Sequence, residues 1–174
     1  MPAVGRRPTR QWRMAPKRAS PPETTPAGRL AEADLHQLIG YQLAQASITT
    51  NRVFTKQVGQ PLGLRRVEYT IVMLIGENPG CSAARLARAL DVTAPNLTTW
   101  IAHLEKQGWV VREPSATDGR SQHLRLSAKG VRLARETTSL LLAGEQQALA
   151  RLSAGERAIL VELLHKVAKC RQRG

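Results

Sequence analysis

The sequence predicts a mainly α-helical fold carrying one small β-hairpin, and three observations lead there. Apolar residues recur at helical spacing through most of the chain, the stretch from Trp109 to Leu126 alone has strand character, and a polar, turn-rich run from Ser115 to Ser121 divides that stretch in two. At 174 residues the chain is long enough for one domain with a proper core and too short for two large ones.

Residues 1–29 are rich in Pro, Arg, Ser and Thr and offer almost nothing to bury, so a disordered arm is expected. The arm carries seven basic side chains and one acid. Either it strengthens binding to a polyanion by counterion release, or it is a tail of no specific role, or Met14 is the true first residue. Arg6-Arg7 is followed by no hydrophobic region, which argues against an export signal.

From Glu32 to Val58 the pattern reads as one long helix with two apolar stripes, one through Leu35, Ile39, Ala46 and Val53, the other through Leu38, Leu43, Phe54 and Val58. A helix with two stripes serves its own core and something else. Further on, Ser82 caps a short helix whose apolar partners are Leu86 and Leu90, with small alanines that permit close approach of a neighbour. Asp91-Val92 then joins it tightly to a second helix, the spacing of a helix-turn-helix.

That second helix starts at Thr93 as N-cap, tolerates Pro95 in its first turn, and buries Leu97, Trp100, Ile101 and Leu104. Its other face carries Asn96, Thr99 and His103, with Thr98 at the edge, and the pattern implies no buried partner for any of them. Amides and hydroxyls on such a face suit a major groove. Gly108 ends the helix, Trp109 to Arg112 reads as a strand that Pro114 stops, and Gln122 to Leu126 alternates as a half-buried strand. A hairpin directly after a recognition helix is a wing. Its tip carries Arg120, able to enter a narrow minor groove, with Asp118 close enough to hold the guanidinium.

Two helices follow. Val131 to Leu152 is the first, and Ser153-Ala154-Gly155-Glu156 is a capping box opening the second, with Ile159, Leu160, Leu163, Leu164 and Val167. The terminal helices hold more apolar surface than one small domain requires, which implies a partner.

Charge agrees with a polyanionic ligand. There are 26 Lys and Arg against 13 Asp and Glu, a net charge of +13. No apolar run approaches the ~18 residues of a membrane span. Catalysis has no foothold: the four histidines, at 36, 103, 123 and 165, are scattered, no Gly-rich phosphate loop occurs, and no cofactor or metal is implied. Cys81 and Cys170 are too few for a disulfide framework and suit a reducing cytoplasm. Cys81, near a helix N-terminus, is a candidate for a lowered thiol pKa and redox sensing, against ordinary packing.

The chain resembles the MarR family, the multiple-antibiotic-resistance type of bacterial transcriptional regulators. The resemblance rests on Cys81-Ser82-Ala83-Ala84-Arg85-Leu86-Ala87, on Val92 to Thr98, on Leu104 to Arg112, and most specifically on Thr117-Asp118-Gly119-Arg120-Ser121 followed by Leu124 to Gly130. It extends from about Leu35 to Val167. Thr99 stands where many members carry Arg, and Trp100 replaces an aliphatic residue on the buried face.

The resemblance implies a homodimer, joined through residues 30–60 and 131–174, in which lobe 61–130 binds a pseudo-palindromic DNA operator, within a single domain spanning 30–174. The expected contacts are Ser82, Thr93, Ala94, Pro95, Asn96, Thr98, Thr99, His103, Arg112, Asp118 and Arg120. It also implies repression relieved by a small molecule such as an aromatic acid or its thioester, with Tyr41 and Tyr69 as candidate effector residues against a plain packing role. The alternative is a winged-helix module that binds protein partners without specific DNA.

Overall fold

The computed structural model describes residues 24–114 and 122–171. The chain divides into two compact units, Met1–Gln45 and Ala46–Gly174.

In the first unit, Thr24 and Ala31 form an antiparallel bridge, and Thr25 accepts from the Leu30 amide through its hydroxyl oxygen at 3.1 Å. Part of the segment read as a featureless arm is therefore a closed turn. Glu32 is buried, and its carboxylate accepts from the Tyr41 hydroxyl at 2.9 Å while His36 Nδ1 lies 3.2 Å away. Burial, with the Glu32 carboxylate beside it, raises the Tyr41 hydroxyl above its usual pKa.

The single helix expected over Glu32 to Val58 is broken. A 3₁₀ turn, Ala33–Gln37, is followed by Leu38 in extended backbone and then by α1, Ile39–Phe54. After Phe54 the backbone widens into a π-helical turn, Thr55–Gly59, before the short α2, Gln60–Leu62. Pro61 supplies the reason. It has no N–H for the Gln57 carbonyl, and the chain shifts to bonds five residues apart, such as Gln60 N to Thr55 O. Gly63, in left-handed backbone, ends the segment.

Within the second unit, α3 (Arg66–Glu77), α4 (Ala83–Leu90) and α5 (Ala94–Lys106) surround one core, and α6 (Ala128–Ala148) packs against α3. The sheet has three antiparallel strands in the order β1-β3-β2, with β1 Cys81–Ser82, β2 Val110–Pro114 and β3 Gln122–Leu126. Two of these form the expected hairpin; β1 is an addition, pairing Cys81 with Leu124. At two residues it is too short to leave a sequence pattern.

Core side chains come from every element of this unit except α2 and the last helix: Phe54, Val58, Ile71, Val72, Ile75, Leu86, Leu97, Ile101, Leu104, Trp109, Val110, Leu124 and Leu133 are all buried. Burial of each large one is worth about 2 kcal/mol. Cys81 belongs to this core, and burial raises its thiol pKa. Of the two readings of Cys81 the packing one holds: desolvation outweighs the backbone hydrogen bond and the Arg85 charge that pull the thiol down.

Both of the last two helices are present, but α6 starts at Ala128 and ends at Ala148 where Val131 to Leu152 was expected. The Ser153–Glu156 capping box is present, Ser153 N donating to Glu156 Oε2 at 2.7 Å, and it opens α7, Ala154–Lys169. No residue of α7 is buried, and Val161 is 67% exposed.

Candidate nucleic-acid interface and ligand cavity

The turn between α4 and α5 is built on Asp91. It adopts left-handed backbone at φ 56°, which Asp tolerates better than most residues, and lets the Val92 amide reach the Ala87 carbonyl at 3.1 Å. At the other end of α5, Gly108 has φ 71°, its amide donates to Glu105 O at 2.8 Å and the Trp109 amide to Leu104 O at 3.0 Å. Both bonds of a Schellman ending are thus present, and they send the chain straight into the wing.

Along α5, Leu97, Ile101 and Leu104 are buried, while Ala94, Pro95, Asn96, Thr98 and Thr99 are exposed. Thr93 holds the N-cap backbone conformation, but its hydroxyl caps nothing. Pro95 at the second helical position has no amide to offer it. The Thr98 and Thr99 hydroxyls donate back to Ala94 O at 2.9 Å and Pro95 O at 3.1 Å, so they turn methyls and acceptor oxygens outward. Such groups match a thymine methyl and the amino edge of adenine or cytosine. Ser82 accepts from the Arg85 amide at 3.3 Å, capping the start of α4.

Two expected contacts have partners inside the protein. Arg112 donates from Nε to Glu105 Oε1 at 2.8 Å and from Nη1 to Gln122 Oε1 at 3.1 Å, tying α5 to both wing strands. His103, for which the pattern implied no buried partner, places Nδ1 2.9 Å from Oε1 of the buried Glu68. Sequence reasoning missed Glu68. Its only local signal was an acid three residues after a helix start, where it accepts from the Arg65 amide at 2.9 Å. Asp118 and Arg120 lie outside the described residues.

A cavity of about 580 Å³ opens between α3 and α6, lined by Met73, Gly76 and Glu77 on one side and by Val131, Arg135 and Leu142 on the other, with Leu126 of β3. Arg135 is a cation beside apolar walls. The Tyr69 hydroxyl lies 3.4 Å from the hydroxyl of Thr138, which lines the cavity, and its ring tilts against Phe54 at 5.8 Å. Tyr69 thus supports the wall, while Tyr41 belongs to the other unit and is taken up by Glu32. Among the described residues, no three His, Cys, Asp or Glu side chains are placed to hold a metal ion, and no helix is long and apolar enough to cross a membrane.

A model of the MarR family matches residues 62–121. The HTH-type transcriptional repressor Rv2887 of Mycobacterium tuberculosis is 35% identical over 107 residues, spanning 62% of this chain and 77% of the relative. A structure of that MarR family protein in complex with salicylic acid superposes with a TM-score of 0.61 at 31% identity, covering 75% of this chain and 96% of that one. The chain belongs to the MarR family. As a MarR protein it is a winged helix-turn-helix transcriptional regulator and not an enzyme.

The transcriptional repressor CouR, bound to a 23-mer DNA duplex, superposes with a TM-score of 0.72 at 27% identity over 80% of this chain and 98% of its own. The reduced form of MarR from Escherichia coli has the same fold, with a TM-score of 0.65 at 24% identity over 75% of this chain and 96% of that one.

Proposed function

We propose that this MarR protein acts as a homodimeric repressor that holds a pseudo-palindromic operator and releases it when a small aromatic acid binds. The observation that carries the reading is the outer face of α5. Asn96, Thr98 and Thr99 stand exposed on a helix whose opposite ridge, Leu97, Ile101 and Leu104, is fully buried. A rigid helix presenting amide and hydroxyl groups is what base-edge recognition requires.

Dimerisation follows from α7, which offers Ile159, Val161 and Leu163 to solvent at more than half exposure. A second copy supplies the missing cover and sets two recognition helices about 10 base pairs apart. The ligand reading rests on the cavity between α3 and α6, where Arg135 pairs with a carboxylate and Met73, Leu126 and Leu142 receive a ring. The Rv2887 complex with salicylic acid makes the free acid the first ligand to try, and an aromatic thioester the second.

The test begins with enrichment of a random-sequence duplex library by the protein. A converged, two-fold symmetric duplex is expected, bound at least about ten-fold more weakly by Arg120→Ala, and released by salicylate. Failure to converge would leave a protein-interaction module as the better account; unaffected binding by Arg120→Ala would remove the wing from the mechanism.

A further inference from the structure

We propose that Glu68, a buried carboxylate of α3 outside the helix-turn-helix, is a positioning residue for DNA recognition that acts through His103 of the recognition helix. The proposal rests on the DNA-binding reading above. Glu68 is 2% exposed and cannot itself reach DNA. Both of its oxygens are committed: Oε2 accepts from the Arg65 amide at 2.9 Å, fixing the carboxylate to the start of α3, and Oε1 lies 2.9 Å from His103 Nδ1. A carboxylate only accepts, so Nδ1 carries the proton. The other ring nitrogen, Nε2, lies 3.4 Å from the side-chain amide nitrogen of Gln107, the C-cap of α5.

The link fixes a degree of freedom that packing leaves open. Leu97, Ile101 and Leu104 set the distance of α5 from the core, and on one flank of that ridge the Arg112–Glu105 bond ties the helix to the wing. On the flank where rotation would be opposed lies an open space of about 310 Å³, lined by Gly63, Arg65, Glu68, Thr99, Trp100 and His103. The Glu68–His103 bond crosses that flank. It holds the roll of α5, and therefore the direction in which Asn96 and Thr98 point.

Three variants test this against the duplex enriched by the unmodified protein and a random duplex. Glu68→Leu, which keeps the side chain's bulk but has no acceptor for Nδ1, and His103→Gln are each expected to lower the enriched-to-random affinity ratio about ten-fold, with random-duplex affinity nearly unchanged. The double variant is expected to lose no more than the worse single one, since both remove the same link. A Glu68→Leu ratio within two-fold of the parent overturns the proposal, as do losses that multiply in the double variant, which would make His103 a direct reader. Where a variant does not fold, nitrogen-15 spectra of the His103 ring in the unmodified protein decide. Nδ1 is expected to stay protonated and hydrogen-bonded in the DNA complex; transfer of that bond to Nε2 on binding overturns the proposal. Should the library fail to converge, sequence-specific binding itself falls, and the role of Glu68 with it.

Discussion

Gly130 lies so close to Trp109 that a Cβ on it would stand 2.0 Å from the Trp109 carbonyl oxygen. The same oxygen accepts from the Ser127 amide at 3.0 Å, while the Ser127 hydroxyl donates to Gly108 O at 2.6 Å and accepts from the Gly130 amide at 3.0 Å. The start of α6 is thereby locked onto the turn that ends the recognition helix. This gives the Leu-Ser-x-x-Gly pattern a physical meaning: serine for the cap and turn, glycine because no side chain fits.

Gly130→Ala is therefore expected to be far costlier than an ordinary helix substitution. The clash is with backbone, which has no rotamer to escape into, and a cost of roughly 3 kcal/mol follows. Thermal melting should fall by roughly 10 °C. An unshifted melting curve would mean that α6 docks elsewhere in solution.

The sequence-legible features of this molecule are the ones written locally. The cap of α4 at Ser82, the glycine ending of α5 and the Ser153–Glu156 box each lie within a few residues, and all three are where the pattern placed them. What escaped is tertiary. The Glu68–His103 link joins residues 35 apart, and β1 exists only because β3 lies beside it. The broken N-terminal helix is an intermediate case: Pro61 is visible in the sequence, but its effect falls on the turn before it, where Val58 continues the apolar stripe and hides the change of helix type.

The α7 cap has a defined pH dependence. Bonds from the Ser153 amide and hydroxyl hold the Glu156 carboxyl below its ordinary pKa of 4.5. A carboxyl depressed in the folded state stabilises fully above its unfolded pKa and loses that contribution as pH falls through its folded value. Glu156→Gln should consequently melt below the parent at neutral pH, and the two curves should converge in acid. A gap that persists below about pH 3 would assign the effect to something other than this ionisation.

The basic N-terminal segment gives a test through salt. Deleting residues 1–23 removes six cationic side chains and spares the Thr24–Ala31 turn. If those side chains touch phosphates, the slope of log affinity against log salt becomes shallower by roughly 0.9 for each phosphate no longer neutralised, on specific and random duplexes alike. An unchanged slope would make the segment a bystander in DNA binding.

Asn96 separates reading from holding. It is exposed in the first turn of α5, and its amide can pair both ways with adenine, a geometry that the neighbouring threonines, with hydroxyl protons given to Ala94 O and Pro95 O, cannot offer. Asn96→Ala should therefore weaken the enriched duplex roughly ten-fold while random-duplex affinity stays within about two-fold, because non-specific binding is carried by phosphate neutralisation. Base substitutions in the enriched duplex sharpen the test. The position read by Asn96 should become indifferent to sequence in the variant, and only that position. Equal losses on both duplexes would instead make Asn96 a phosphate ligand and leave sequence reading to Thr98, Thr99 and the wing.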